Sequence, residues 1–557
     1  MKNDAQVKTG SRDAILVIAF AAFVAFAGVF TLPPLDRDEA RFAEASVQML
    51  ESGDYIAIRF QDTERNKKPA GAYWLQAASV AVFSSPEVRE IWAYRLPSVL
   101  GAILAALFTF AAARRLFGPK AGLIAGLLLA AAPAVAGEAT IAKTDALLLA
   151  CVAAAQWMFI EILSARLDGR NPLWRYIVAF WFAIGAGVLI KGPVILMIIG
   201  LTVAALCISR KIRAHLAATK PLAGVLILVL MILPWAYAIN AATEGRFFTD
   251  AIGGDMLSKV GAAQESHGAP PGYYTILLFI LFWPAAAIIP ASLKRAIDQR
   301  SDWRVQFLLA WIVPSFAAFE FAATKLPHYT LPLYPSFAIL AAHAATSGVA
   351  LPKIAIKSGA VIYGVVGVLL ATLMITIPIH FHQQNITVFA SGAAAALAAC
   401  SIFVASSFWR GKVYTGIYCA IVLGAFTAWA LLGGILPNIT ALDVSRRLNE
   451  AVVEARLHPI KNGAPPVAIT GYYEPSAVFL LGAKTRLESA SAAARDLVSL
   501  PPRAVIVEAR NEAEFKSALN EMHSQAEPLA RVQGFNYSNG KEVDLTIYRM
   551  ASGVDKE

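Results

Sequence analysis

The sequence predicts an α-helical polytopic membrane protein, with about thirteen transmembrane helices and a C-terminal α/β domain outside the membrane. Three observations point there. The 557 residues are 57% hydrophobic and only 15% charged, with a mean hydropathy of +0.58, whereas soluble proteins carry about 25% charged residues. Apolar runs recur along residues 1–437, and a bilayer core takes about 20 apolar residues per helix. From 438 to 557 the chain is polar. This composition argues against a single soluble globule, a disordered chain or a nucleic-acid-binding module, despite a net charge of +10. Cys151, Cys207, Cys400 and Cys419 lie inside apolar runs and read as small hydrophobes, not as a disulfide or zinc framework.

The runs fall at 14–33, 93–113, 121–137, 145–164, 174–190, 193–208, 222–241, 272–292, 305–323, 329–347, 354–378, 388–408 and 413–436. Only Lys191 and Gly192 separate the fifth from the sixth. Ala25-Phe26-Ala27 resembles a signal-peptidase site, but the first run continues to Leu32, longer than a typical signal core, so it reads as a span. Basic residues gather on alternate connections, from Lys2, Lys8 and Arg12, through Arg114, Arg115 and Lys120, to Lys353, Lys357, Arg410 and Lys412. The positive-inside rule makes that side cytoplasmic. The N-terminus is then cytoplasmic and the C-terminus outside. The other side holds two large loops, 34–92 and 242–271, and the polar segment 438–557. That segment has helical stretches at 443–457 and 511–525 and β-like runs at 467–472, 503–509 and 543–549. No internal repeat is visible, which weighs against a secondary transporter.

The first outer loop opens with Asp36, Arg37, Asp38, Glu39, Ala40 and Arg41. Ala43, Val47 and Leu50 then form an apolar stripe opposite Arg41, Glu44, Gln48 and Glu51, an amphipathic helix expected to lie in the membrane interface. Asp36 and Glu39 have the spacing of a capping box. That accounts for two carboxylates but not for Asp38 and Arg41, so capping and catalysis both stand as readings.

Farther on come Lys67-Lys68-Pro69 and Tyr73-Trp74. Interfacial anchoring would explain them, but the positive-inside bias disfavours cations on this face, and their presence points to an anionic partner. Lys143 before Asp145, Lys191 between two spans, Lys325 before His328 and Tyr329, and Arg246 in the second large loop repeat the pattern. Ionisable groups beside membrane spans are functional candidates by default, and together these cations suggest a phosphate site. His267 reads as a surface histidine, and His380 with His382 as solvated.

These segments together resemble the membrane-embedded GT-C glycosyltransferases, in particular the bacterial aminoarabinose transferases that modify lipid A, and more broadly the protein O-mannosyltransferases. The carriers are PPLDRDEARFAEASVQMLESGDY at 33–55, KKPAGAYW at 67–74, KTDALL at 143–148, LIKGPV at 189–194 and KLPHYTLPLYP at 325–335. The resemblance implies a monomer in the bacterial inner membrane with a periplasmic active site. The donor would be a sugar, aminoarabinose or a related pentose or hexose, on undecaprenyl or another polyprenyl phosphate. The acceptor would be lipid A or another envelope glycolipid, with core oligosaccharide and protein as alternatives. A flippase for lipid-linked sugars is the alternative from a different functional class.

By the same resemblance, Asp38 is the catalytic carboxylate, with Glu39 beside it and Asp145 as a second acidic position. Arg41, Lys68, Tyr73, Lys191, Arg246, Lys325 and Tyr329 match places that contact the lipid phosphate or shape the cavity. His267 would be accessory. Asp38 would be the general base for a hydroxyl acceptor; for a phosphate acceptor, already ionised, it would orient groups instead. One departure stands out. The relatives carry Glu-Lys-Pro where this chain has Lys67-Lys68-Pro69, and that glutamate, with a histidine matching His267, can hold a metal. The change implies that no divalent metal is required, and the added charge would suit a different acceptor or a more acidic sugar such as a uronic acid.

Overall fold

The computed structural model describes residues 2–257, 268–500 and 502–551. Its membrane part runs α1 (Lys2–Ala25), α2 (Arg37–Ser52), α3 (Gly71–Phe83), α4 (Ile91–Phe117), α5 (Pro119–Ala130), α6 (Pro133–Ala139), α7 (Asp145–Leu167), α8 (Trp174–Lys191), α9 (Val194–Leu206) and α10 (Pro221–Ala242). It continues with α11 (Tyr273–Leu281), α12 (Ile289–Asp298), α13 (Trp303–Phe321), α14 (Tyr334–Thr346), α15 (Lys353–His380), α16 (Gln384–Trp409) and α17 (Val413–Ala428).

Among the described residues, eight helices are long and apolar enough to cross a membrane: α4, α7, α8, α10, α13, α15, α16 and the helix that α17 begins, which runs on to Asn438. Two more pairs qualify only as bent spans, α5 with α6 at 59° and α9 with residues 210–219 at 115°. The remaining expected runs are helical but shorter or interrupted. Proline is one physical reason, since it removes a donor and clashes with the preceding turn. The run at 272–292 is cut by a turn at Trp283–Ala285, which contains Pro284, before α12 begins at Ile289. The run at 329–347 starts as a 3-10 turn, Pro327–Leu333. Apolar composition thus marks thirteen runs, while among the described residues eight helices, or ten with the bent pairs, are both long and apolar enough to span.

The C-terminal part has α18 (Val444–Glu454), α19 (Pro475–Leu481), α20 (Ala490–Ser499) and α21 (Glu512–Glu521). Its five strands are β3 (Ala468–Thr470), β4 (Arg486–Leu487), β5 (Val505–Glu508), β6 (Ala526–Asn536) and β7 (Lys541–Met550). They form one mixed sheet in the order β4-β3-β5-β7-β6, parallel through β5 and antiparallel beyond it. The helical stretches and β-like runs read from the sequence coincide with α18, α21, β3, β5 and β7. The edge strand β6 was hidden because Pro528 and a register shift before Ala530 break its alternation; edge strands and bulges tolerate both.

The first outer loop does not form a simple interfacial helix. Asp36 caps α2 by accepting from the N–H groups of Asp38 (2.7 Å) and Glu39 (3.0 Å). The polar face of α2 is covered rather than solvated. Glu44 is fully buried and pairs with Arg89 at 2.5 Å, which also donates to Glu51 (2.9 Å) and to the Phe479 carbonyl of α19 (2.8 Å). A small hairpin, β1 (Arg59–Phe60) with β2 (Thr63–Glu64), follows. Gln61 at its turn donates to the carbonyls of Ala483 (3.1 Å) and Thr485 (2.6 Å). Tyr537 donates to the Pro34 carbonyl at 3.2 Å. The C-terminal domain therefore holds the segment 34–92 in place.

The deepest tie is Arg95 in α4. Its guanidinium grips Glu39 through two contacts, 2.7 and 2.9 Å, and donates to the carbonyls of Val29 (3.0 Å), Leu32 (2.8 Å) and Pro33 (3.2 Å). Both side chains are buried. Breaking a buried pair by removing one partner costs about 3–5 kcal/mol. Arg95→Met is therefore expected to lower stability by about that amount, read as a marked fall in Tm of the detergent-solubilised protein; a wild-type Tm would contradict this role.

Candidate functional site

The start of α2 meets the segment between α6 and α7 at the same end of the helices. Ala142 is fixed by both of its backbone groups: its N–H donates to Glu39 Oε1 at 2.9 Å, and its carbonyl accepts from Gln76 Nε2 at 3.0 Å. Gln76 is oriented in turn by Ser46 of α2, which donates to its Oε1 at 2.9 Å. This places Lys143 and Asp145 against the Asp36–Arg41 motif. The Lys143 ammonium donates to Asp36 Oδ2 at 3.0 Å and lies 4.0 Å from Glu138. Asp145, at the first turn of α7, pairs with Lys191 at the last turn of α8. Gly192, at φ 71°, ends that helix just beyond Lys191. Lys191 also lies 5.7 Å from the centre of the Tyr329 ring. His328 sits between the two acids, Nδ1 3.5 Å from Glu138 and Nε2 3.7 Å from Asp145.

Asp38 stands at the open side of this network, its side chain 54% exposed. Arg65 donates to it at 3.0 Å and Arg41 at 3.4 Å. Arg65 is itself nearly buried, lies 5.4 Å from the Phe42 ring centre and is influenced by Tyr73 as well as Asp38. Phe42 and Tyr73 stack at 4.6 Å. Desolvation works to raise the Asp38 pKa, but Arg65, Arg41 and Lys143 outweigh it and bring it down to about 2. Desolvation works to lower the Lys143 pKa, yet Glu138, Asp36 and Asp145 hold it above the ordinary lysine value. Burial, with help from Lys143 and Lys191, pushes His328 down to about 3 against the pull of Asp145 and Asp36, so the ring is neutral. Asp36 is thus paired with Lys143, Asp38 with Arg41 and Arg65, and Asp145 with Lys191, while Glu138 lies buried beside Lys143 and His328.

The sequence-derived candidates divide accordingly. Asp38, Arg41, Tyr73, Asp145, Lys191 and Tyr329 belong to this site. Glu39 needs correcting as a catalytic candidate: it is 1% exposed, and Arg95 and Ala142 occupy its oxygens. Of the cations expected to form a phosphate cluster, several are engaged within the protein. Lys325 is buried and donates to the Ala322 carbonyl at 2.7 Å, closing the end of α13. Arg246 pairs with Glu64 of the first loop at 2.8 Å and is 55% exposed. Lys68 lies half-buried just before α3, and Lys67 is exposed. His267 lies outside the described residues.

Sequence reasoning missed Arg65, Arg95, Glu138 and His328. Arg95 and Glu138 had a signal, an ionisable residue within or beside an apolar run, which is costly unless paired.

Glu138, Asp145 and His328 offer three ligand atoms within 4.8 Å of one another, a donor set of the right type for a divalent ion. The surroundings fit one poorly. Lys191 already pairs with Asp145, and Lys143 approaches Glu138, so a doubly charged ion would meet two ammonium groups beside its carboxylate ligands.

The family described as dolichyl-phosphate-mannose-protein mannosyltransferase matches residues 67–237. The chain is 30% identical over 342 residues to the undecaprenyl phosphate-alpha-4-amino-4-deoxy-L-arabinose arabinosyl transferase of Enterobacter sp. (strain 638), covering 61% of this chain and 60% of that protein. It is 30% identical over 344 residues to the protein of the same name from Pseudomonas paraeruginosa, covering 59% of each. The matched region thus spans about 60% of these relatives' length. The structure of ArnT from Cupriavidus metallidurans bound to undecaprenyl phosphate superposes with a TM-score of 0.72 over 96% of this chain and 97% of that one, at 19% identity. The chain has the fold of that structure, the GT-C type that its motifs imply, and is a multi-pass membrane protein.

The low pKa of Asp38 rests on its cations, and its sign is testable. A depressed carboxyl stays ionised until the pH falls toward 2. Replacing Arg65 by Met leaves desolvation opposed by fewer charges, so the pKa should rise by about one to three units. Isotope-edited infrared spectra, with Asp38→Asn as the blank, should show Asp38 mostly ionised at about pH 3 in the wild type and about half or more protonated in Arg65→Met. Identical spectra would contradict the assignment.

Proposed function

We propose that this chain is a polyprenyl-phosphate-sugar-dependent glycosyltransferase of the bacterial inner membrane. Its site faces the periplasm and transfers a sugar, aminoarabinose or a related one, to a lipid A-type acceptor with inversion at the anomeric carbon. The fold, the names of the similar proteins and the charged site at the outer ends of the helices all support this reading.

The observation that carries the mechanism is the state of Asp38: exposed, ionised and flanked by two arginines. A carboxylate with a pKa near 2 is a weak general base, because an efficient base titrates close to the working pH. A nucleophile that needs no deprotonation, a phosphate oxygen, suits it better than a hydroxyl. In this reading Arg41 and Arg65, aligned by Asp38, hold the acceptor phosphate. Its oxygen forms a bond to the anomeric carbon while the bond from that carbon to the polyprenyl phosphate breaks, and no proton moves. Asp38 faces the positive charge developing on the sugar. Lys68 and Lys191 stabilise the departing phosphate; an ammonium has three donors, and Lys191 keeps capacity beyond its bond to Asp145.

No metal has a part in this scheme: Lys191 pairs with Asp145 and Lys143 lies 4.0 Å from Glu138, beside two of the three groups that could ligate one. Lys67, in place of the relatives' glutamate, agrees with that.

Asp38→Asn should reduce transfer about 100-fold or more while membrane insertion and lipid binding stay intact; wild-type turnover would leave Asp38 only a structural part. Extensive EDTA treatment should leave turnover within twofold of the untreated enzyme. A loss that zinc or magnesium restores would overturn metal independence without touching the assignment of Asp38.

A further inference from the structure

Far from this site in sequence, α15 and α16 form an antiparallel hairpin with an apolar groove along its outer surface. The groove has a volume of about 500 Å³ and is lined by Ala360, Gly364, Val365, Val368, Ile402 and Ala405, among others. Small residues open it: a Cβ on Gly364 would lie 3.5 Å from the Ala405 Cβ. Val365, Val368, Leu369 and Ile402 are exposed beside it. From Ala360 to Leu369 the groove follows α15 for about 14 Å at 1.5 Å per residue, roughly half of a 30 Å bilayer core.

One end of the groove is cationic. Trp409 lines it there, and the Lys357 ammonium lies 4.6 Å from the Trp409 ring centre. Arg410 and Lys412 follow Trp409 directly, and Lys353 stands one helical turn before Lys357; all four cations are exposed. No Asp or Glu occurs anywhere between Glu320 and Asp443. These cations belong to the set that the positive-inside rule places on the cytoplasmic side. Topology alone would explain their presence at that end, but not an apolar groove that ends on them.

We propose that this groove binds one anionic phospholipid, with its headgroup phosphate at Lys357, Arg410 and Lys412 and an acyl chain along Ala360–Leu369. Charge complementarity selects the occupant: basic pockets between helices on the cytoplasmic side favour anionic headgroups, each cation near the surface adding about 1 kcal/mol. The inference concerns the lipid-facing surface and does not rest on the transferase reading.

Native mass spectrometry of the full-length protein in detergent, titrated with phosphatidylglycerol or with phosphatidylethanolamine of the same chains, tests it. The wild type should retain one phosphatidylglycerol in preference to phosphatidylethanolamine. Lys357→Gln with Arg410→Gln should weaken that affinity about 30-fold, which is two such contributions at 1.4 kcal/mol per tenfold. Ala405→Leu, which fills the groove and keeps the charges, should weaken it as well.

Equal binding of the two lipids, or equal phosphatidylglycerol binding by wild type and variants, would overturn the proposal. So would loss with the charge variant alone, which would mean adsorption at the surface, or displacement of phosphatidylglycerol by equimolar undecaprenyl phosphate. A dimer that Ala405→Leu dissociates would assign the groove to a second copy and overturn it too.

Discussion

The buried pair between Arg95 and Glu39 is the constraint on which the charged site depends. An arginine in the first turns of a membrane helix has to satisfy five donors away from water. Here it does so with the carbonyls of Val29, Leu32 and Pro33 and with both oxygens of Glu39. That fixes the end of the first apolar run against α4 and anchors the first turn of α2. Glu39 also accepts from Ala142, so the same pair sets where Lys143 and Asp145 stand. A residue inside the chemical motif thus serves the motif by holding its neighbours, and Asp38, one position earlier, is left facing outward.

An ion-pair network with one open edge follows from that anchoring. Asp36, Glu138 and Asp145 are closed in by Lys143 and Lys191 around a neutral His328, while Asp38, with Arg41 and Arg65, remains accessible. The enclosed part gives rigidity, since removing any one charge would leave a buried partner uncompensated. The open part can exchange partners with a substrate. Covering this region with the C-terminal domain, through Arg89, Gln61 and Tyr537, keeps the α2 segment in register with α6 and α7.

Much of this was legible in the sequence, and what was not has physical causes. Asp38, Arg41, Asp145 and Lys191 stood out because ionisable groups at outer helix ends run against both hydropathy and the positive-inside bias. Pairing is a tertiary property: nothing in the spacing of Lys191 and Asp145, or of Arg65 and Asp38, announces that they meet. The cations expected to meet a phosphate are therefore found in ion pairs and at a helix end. Lys325 looked like a phosphate ligand and instead closes a helix end. Arg95 and Glu138 were passed over because they sit within or beside runs read only for their apolar character, although a charge in such a run always demands a partner. The thirteen apolar runs describe composition, and hydropathy does not register the turns that divide a run such as 272–292.

The most direct test of a transfer site on the outer face uses proteoliposomes that hold the protein in one orientation. Polyprenyl-phosphate sugar would be supplied only to the leaflet contacting the Asp38 side, with a lipid A acceptor in that same leaflet. The account predicts that glycosylated acceptor and free polyprenyl phosphate appear together in that leaflet in equal amounts, and that no intact donor reaches the opposite leaflet. Intact donor crossing to the other leaflet without release of polyprenyl phosphate would contradict it and identify a transporter instead.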